Sequence, residues 1–213
     1  MIRRCAVLTA LLALAVALAG CSSSGSTGKS AQPSQLIGGS TGGPYQGAGL
    51  DPAQPRPSFS LTDFNGKPFA FGATTAKHPT LLFFGYTNCP DVCPTTMADV
   101  SIALKQVPAA LAARTYVVFV TTDVKRDTGP VLKKWVSNFS AGSKATFVGL
   151  RGTQAQVDAA QAAAHVTVAE DDGQTHSAEL LLYGTDDYAR VAFLQSTTEQ
   201  KQIAHDLPLV ANA

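Results

Sequence analysis

The chain has 213 residues, 45% of them hydrophobic and 15% charged, with 16 Lys and Arg against 15 Asp and Glu for a net charge of +1. No basic patch marks a nucleic-acid surface, so that class of partner is excluded. The length leaves room for one folded domain of roughly 155 residues once a leader and a tether are set aside.

Residues 1–20 carry Arg3 and Arg4 ahead of an Ala/Leu/Val run. This is the pattern of a secretory signal, and the run falls short of the ~20 apolar residues of a comfortable membrane span. Its end, Leu18-Ala19-Gly20-Cys21, resembles a bacterial lipobox, which implies cleavage before Cys21 and lipidation of that residue. Plain secretion with a free Cys21 is the rival reading. Loss of Arg3 and Arg4 leaves 14 basic residues against 15 acidic ones, a net of −1. Residues 21–57 are rich in Ser, Gly, Pro and Gln. Such a segment buries no core and reads as a flexible tether between a membrane anchor and the domain at 58–213.

In the domain, Phe59 to Leu61 and Phe69 to Phe71 flank Asn65-Gly66 and predict a β-hairpin. Thr80 to Phe84 reads as a buried strand, and Pro94 as the first residue of a helix running towards Val107. A second buried strand, Tyr116 to Val120, precedes a helical face of Val131, Leu132, Trp135, Val136 and Phe139. A short strand at 146–148, a helix from Gln154 to Ala164, a hairpin of 179–183 with 190–194 and a last helix over 198–207 complete the order. Alternation of this kind predicts an α/β fold in the thioredoxin arrangement: a central mixed sheet flanked by helices, with an extra N-terminal β-hairpin.

Of the 4 Cys, Cys5 leaves with the signal and Cys21 takes the lipid, so Cys89 and Cys93 remain as thiols at a strand-to-helix junction. A thioredoxin-type redox pair is one residue tighter. A purely structural disulfide gains most by closing a long loop, and this loop is tiny. Four residues on a helical turn rise ~6 Å, which suits either a Cys89–Cys93 disulfide or convergence of two thiolates on one ion. The helix N-terminus is expected to depress the pKa of Cys93 in particular. Two sulfurs leave a metal site incomplete, and His176, just before the strand at 179–183, is the candidate third ligand. Two soft sulfurs with one imidazole suit copper in either oxidation state better than Mg or Ca. As a lone His it also reads as a polar turn residue. His78, His165 and His205 are read as non-ligating. Asp91 is either a charge tuning the site or a turn residue, and Asp123 either reaches the rim or caps the next element. Met97 and Trp135 read as packing residues.

Two blocks carry a family resemblance. Phe84-Gly85-Tyr86-Thr87-Asn88-Cys89-Pro90-Asp91-Val92-Cys93-Pro94 resembles the thiol motif of the Sco/SenC family. Phe119-Val120-Thr121-Thr122-Asp123-Val124-Lys125-Arg126-Asp127-Thr128 resembles its second block, and His176 falls where that family's single essential histidine lies. The resemblance covers about residues 58–208. It implies a thioredoxin fold, a membrane-tethered position on the extracytoplasmic face and a copper site of Cys89, Cys93 and His176. It also implies delivery of copper to, or reduction of, the CuA centre of cytochrome c oxidase subunit II, with exchange with other copper chaperones. Two positions depart from the pattern: Val124 stands where the family has Pro, and Thr175 where it has Asp. Three functions follow: a copper chaperone, a thiol-disulfide oxidoreductase using Cys89 and Cys93, and a peroxidase, whose cysteine environment this pair does not resemble.

Overall fold

The computed structural model of the chain describes residues 35–37, 43–196 and 199–212. The expected signal, the lipidation of Cys21 and most of the tether lie outside the described residues. Among the described residues, no helix is long and apolar enough to cross a membrane.

The sheet grows outward from β5 (Thr80–Gly85), whose six residues are all buried. Leu81 and Phe83 enter one apolar layer, and Leu82 and Phe84 the other. A strand covered on both faces reads as a continuous apolar run, which is why it is visible in the sequence. It pairs in parallel with β6 (Tyr116–Thr121), Thr80 opposite Tyr116, and β6 pairs in parallel with β7 (Thr146–Arg151). On its other side β5 runs antiparallel to β8 (Leu180–Tyr183), which forms a hairpin with β9 (Tyr188–Phe193). The predicted N-terminal hairpin is β3 (Ser60–Asp63) with β4 (Pro68–Ala70), docked on β7 through Thr62 opposite Arg151. Phe71, expected in its second strand, instead opens the short helix α1 (Phe71–Thr75).

Two helices, α2 (Val92–Gln106) and α4 (Gly129–Ser140), cover one face through Met97, Val100, Leu104, Leu132 and Val136. The same layer takes Ile203 and Leu207 from α6 (Glu199–Val210). On the other face α5 (Gln154–Ala163), opened by a capping box of Thr153 and Gln156, buries Val157 and Ala160. The five-residue α3 (Ala109–Ala113) links α2 to β6. Val131, expected on a helix face with Leu132 and Val136, is exposed. The α2 helix also starts earlier than Pro94, so the proline is its third residue rather than its first.

The largest departure lies at the start of the domain. The tether does not reach residue 57: β2 (Ala48–Pro55) pairs antiparallel with β9, and β1 (Gln35–Ile37) pairs with β2. The full order is β1-β2-β9-β8-β5-β6-β7-β3-β4. Its Gly and Pro content hides β2 from pattern reading. Tertiary contacts hold this segment instead. The buried Asp206 carboxylate accepts the amides of Gln46 and Gly47 at 2.8 to 3.0 Å. The Arg56 guanidinium pairs with Asp187 at 2.9 Å and donates to Thr75 and to the carbonyls of His78 and Gly184.

Candidate metal centre

Cys89 lies in the loop leaving β5, and Cys93 is the second residue of α2; both are free thiols. Cys93 is fully buried. Its Sγ rests on Gly85, where a Cβ would lie 2.7 Å from the sulfur, so any larger residue displaces it. Cys89 lies across the helix N-terminus, and its Sγ accepts the Cys93 amide at 3.3 Å. The helix is capped by this sulfur; Asp91, at the N-cap position, makes no side-chain cap. The Asp91 carbonyl instead accepts the Thr95 hydroxyl at 2.8 Å, and Asp91 stands at the mouth of the cleft above the site.

This geometry reverses the expected electrostatics. Burial pushes the Cys89 thiol up, but donation from the Cys93 and Asp91 amides, the Cys93 thiol and the Tyr86 hydroxyl more than offsets it, so its pKa lies below the ordinary thiol value. Burial pushes the Cys93 thiol far above that range, with Cys89 and Asp127 adding to the effect. The helix N-terminus acts on the sulfur in front of it, and that is Cys89.

The histidine arrives from a different element. Residues 167–178, within the link between α5 and β8, turn at a single 3-10 segment, Asp171–Gly173. His176 Nε2 lies 3.7 Å from Cys93 Sγ, while Nδ1 is 2.7 Å from the Ser177 carbonyl. A carbonyl only accepts, so Nδ1 carries the proton and Nε2 presents its lone pair to the sulfur. Burial lowers the His176 pKa against the opposing pull of that carbonyl, which favours the neutral ring a metal requires. Its ring is flanked edge-on by Tyr86 at 5.6 Å and Phe83 at 6.3 Å. Tyr86, Cys89, Pro90, Asp91, Thr175 and His176 line an open cleft above.

Two sulfurs and one neutral imidazole fit a soft ion. Among the described residues, no group of three His, Cys, Asp or Glu is already arranged around a metal position. The Cys89 sulfur caps α2 and also lies within reach of the Cys93 thiol.

The remaining candidates separate from the site. Asp123 is buried and bound to Arg126, accepting its amide at 3.2 Å and pairing with its guanidinium. Met97 and Trp135 pack in the core, Trp135 at 4.5 Å from Phe119. His78 meets the Arg114 carbonyl, His165 follows the end of α5 with a φ of 55°, and His205 contacts Asp206. Thr175, in place of the expected Asp, closes the turn by donating to Asp171 at 3.0 Å.

Pattern reading overlooked Tyr86 and Asp127. The Asp127 carboxylate, fully buried, accepts the Thr87 amide at 2.9 Å, the Thr87 hydroxyl at 2.6 Å and the Thr121 hydroxyl. It thereby ties the cysteine loop to the end of β6. Both residues sit inside the quoted blocks, but only the folded chain shows what they touch.

A model of the SCO1/SenC family matches residues 48–212. A protein of Stutzerimonas stutzeri is 35% identical over 136 residues, 61% of this chain and 64% of that protein. Protein SenC of Rhodobacter capsulatus is 35% identical over 118 residues, 54% of this chain and 49% of SenC. The chain thus spans just under two thirds of one of these relatives and just under half of the other. The structure of Bradyrhizobium japonicum ScoI with copper bound is 30% identical, with a TM-score of 0.60 over 73% of this chain and 98% of ScoI. The apo Sco1 protein of Thermus thermophilus is 26% identical, with a TM-score of 0.65 over 80% of this chain and 99% of Sco1. These likenesses establish the thioredoxin-like α/β fold.

Proposed function

The chain belongs to the SCO1/SenC family, and on that premise we propose that it carries copper on Cys89, Cys93 and His176. The ion is cargo, handed to the CuA centre of cytochrome c oxidase subunit II by ligand exchange with that partner's cysteines. One observation carries the reading: a neutral imidazole with its lone pair aimed at a buried thiol 3.7 Å away, its other nitrogen committed to a carbonyl. Thiol-disulfide chemistry needs no such histidine. Copper bound to ScoI, 30% identical to this chain, supports the same cargo here.

The two thiols divide the work. Cys89, with its depressed pKa, engages the incoming ion as thiolate, and Cys93 gives up its proton as it joins. Lipid on Cys21 and the tether after it hold the domain at the extracytoplasmic face of the membrane, within reach of a membrane-bound oxidase.

The same asymmetry favours a second reading, reduction of the CuA cysteines. The Cys89 thiolate attacks a sulfur of the partner's disulfide and releases one partner thiolate. Cys93 gives its proton to that released thiolate and attacks Cys89 in the mixed disulfide, releasing the second thiolate, which takes a proton from water. The partner is reduced to a dithiol and this chain is oxidised to the Cys89–Cys93 disulfide. His176→Ala separates the two readings. The variant is expected to lose tight copper binding while its dithiol still oxidises; unchanged affinity in a Cu(I) competition titration discards the metal site.

A further inference from the structure

We propose that Thr122 is a positioning residue: its buried hydroxyl clamps the histidine loop to the sheet and thereby sets the approach of His176 to Cys93. The proposal rests on the copper reading and names the device that brings the nitrogen ligand to the sulfurs.

The loop closes on itself before it touches the domain. Glu170 and Thr175 exchange backbone bonds at 2.8 and 3.3 Å, the Gly173 amide donates to the Glu170 carbonyl at 2.9 Å, and Thr175 ties to Asp171. These bonds shape the turn but leave its distance from the cysteines unspecified. Two buried side chains fasten it. At the root, Gln161 donates to the Thr167 carbonyl at 3.0 Å and accepts the Ala169 amide at 3.2 Å. At the tip, the Thr122 hydroxyl donates to the Gly173 carbonyl at 2.6 Å.

Thr122 is also bonded to the sulfur side. Its amide donates to the Gly85 carbonyl at 2.7 Å, and Gly85 is the residue on which Cys93 Sγ rests. A single fully buried residue therefore spans the space between the floor under Cys93 and the turn three residues before His176. Gly173 fits this contact for two reasons. Its φ is +88°, and a Cβ there would lie 2.0 Å from the Thr122 carbonyl oxygen. Removing the hydroxyl while keeping the shape leaves the Gly173 carbonyl without its buried donor, and the tip lifts to find water.

The test uses the purified full chain in detergent, carrying Thr122→Val, Thr122→Ser or His176→Ala. Cu(I) affinity is read by competition with a chromophoric chelator, and Cu(II) ligation by the nitrogen hyperfine coupling in electron paramagnetic resonance. Thr122→Val is expected to weaken copper binding about tenfold, the effect of losing a partner that orients a ligand. Its imidazole coupling weakens too, while the dithiol still oxidises fully. Thr122→Ser, which keeps the hydroxyl, restores affinity and coupling. Wild-type affinity and coupling in Thr122→Val, beside a weakened His176→Ala, overturns the clamp alone. Wild-type affinity in His176→Ala overturns the copper reading itself. Where Thr122→Val loses its far-ultraviolet circular dichroism, Gly173→Ala decides. It pushes the turn off the same contact, and wild-type affinity there also overturns the clamp.

Discussion

The cysteine loop and the histidine loop meet at one spot but are built in opposite ways. The first is short and runs from a buried strand into a 15-residue helix, with Asp127 accepting from Thr87 beneath it. The second spans residues 167–178 with one 3-10 turn and sits on the domain through the carbonyls and amides that Thr122 and Gln161 hold. The two sulfurs of the proposed site thus stand on a stiff frame and its imidazole on a strap. In the proposed carrier this division has a use. A ligand whose support is a few hydrogen bonds withdraws at low cost, and the ion passes on without disturbing the core.

The strongest way to break that division is to remove a sulfur. Cys89→Ser or Cys93→Ser is expected to lower Cu(I) affinity on the order of a thousandfold, about 4 kcal/mol, by chelator competition. A loss no greater than that of His176→Ala would put the two loops on an equal footing. Next comes the frame itself. Asp127→Ala strands the part-buried Thr87 amide and two hydroxyls, and is expected to reduce unfolding stability on the order of 3 kcal/mol in urea titrations. Unchanged stability would show the cysteine loop to be held by its flanks alone. The strap is probed by His176→Ala. Its affinity is expected to fall about a hundredfold, close to 3 kcal/mol, with no change in melting temperature. A large drop in melting would mean that the histidine is part of the frame.

The smallest effect concerns the packing of α6 on α2, the helix that carries Cys93. Glu199 is buried in α6, and burial together with the Asp99 carboxylate raises its pKa to about 7. A carboxyl raised in this way binds a proton that the unfolded chain has already lost. Stability therefore declines as pH rises from the ordinary carboxylate range to about 7. Glu199→Gln is expected to match the wild type at pH near 4 and to exceed it on the order of 1 kcal/mol at pH near 8, by thermal melting. An equal gain at both pH values would assign the effect to packing rather than to charge.

Local chemistry made much of the molecule legible. The apolar runs of β5 and β6, the Asn65-Gly66 turn and the Ala- and Gln-rich helix from Gln154 each state their structure within a few residues, because a period or a turn is a short-range constraint. The same holds for the thiol pair and for His176 as its candidate partner. By contrast, β2 carries no pattern of its own. Ala48–Pro55 is a strand because β9 offers an open edge and because Asp206 and Arg56 hold the chain on either side of it.

By itself, the sequence determined the family, the order of most elements and the three side chains with metal-binding chemistry. Only the tertiary structure decided how those side chains are tuned and joined. The helix N-terminus was expected to favour Cys93; it favours Cys89, because Cys93 turns into the core above Gly85 while Cys89 faces the free amides. Thr122 and Asp127 become structural ties only once β5, β6 and the two loops lie side by side. A pKa and a hydrogen bond depend on what surrounds an atom, and in a folded chain most of those surroundings are distant in sequence.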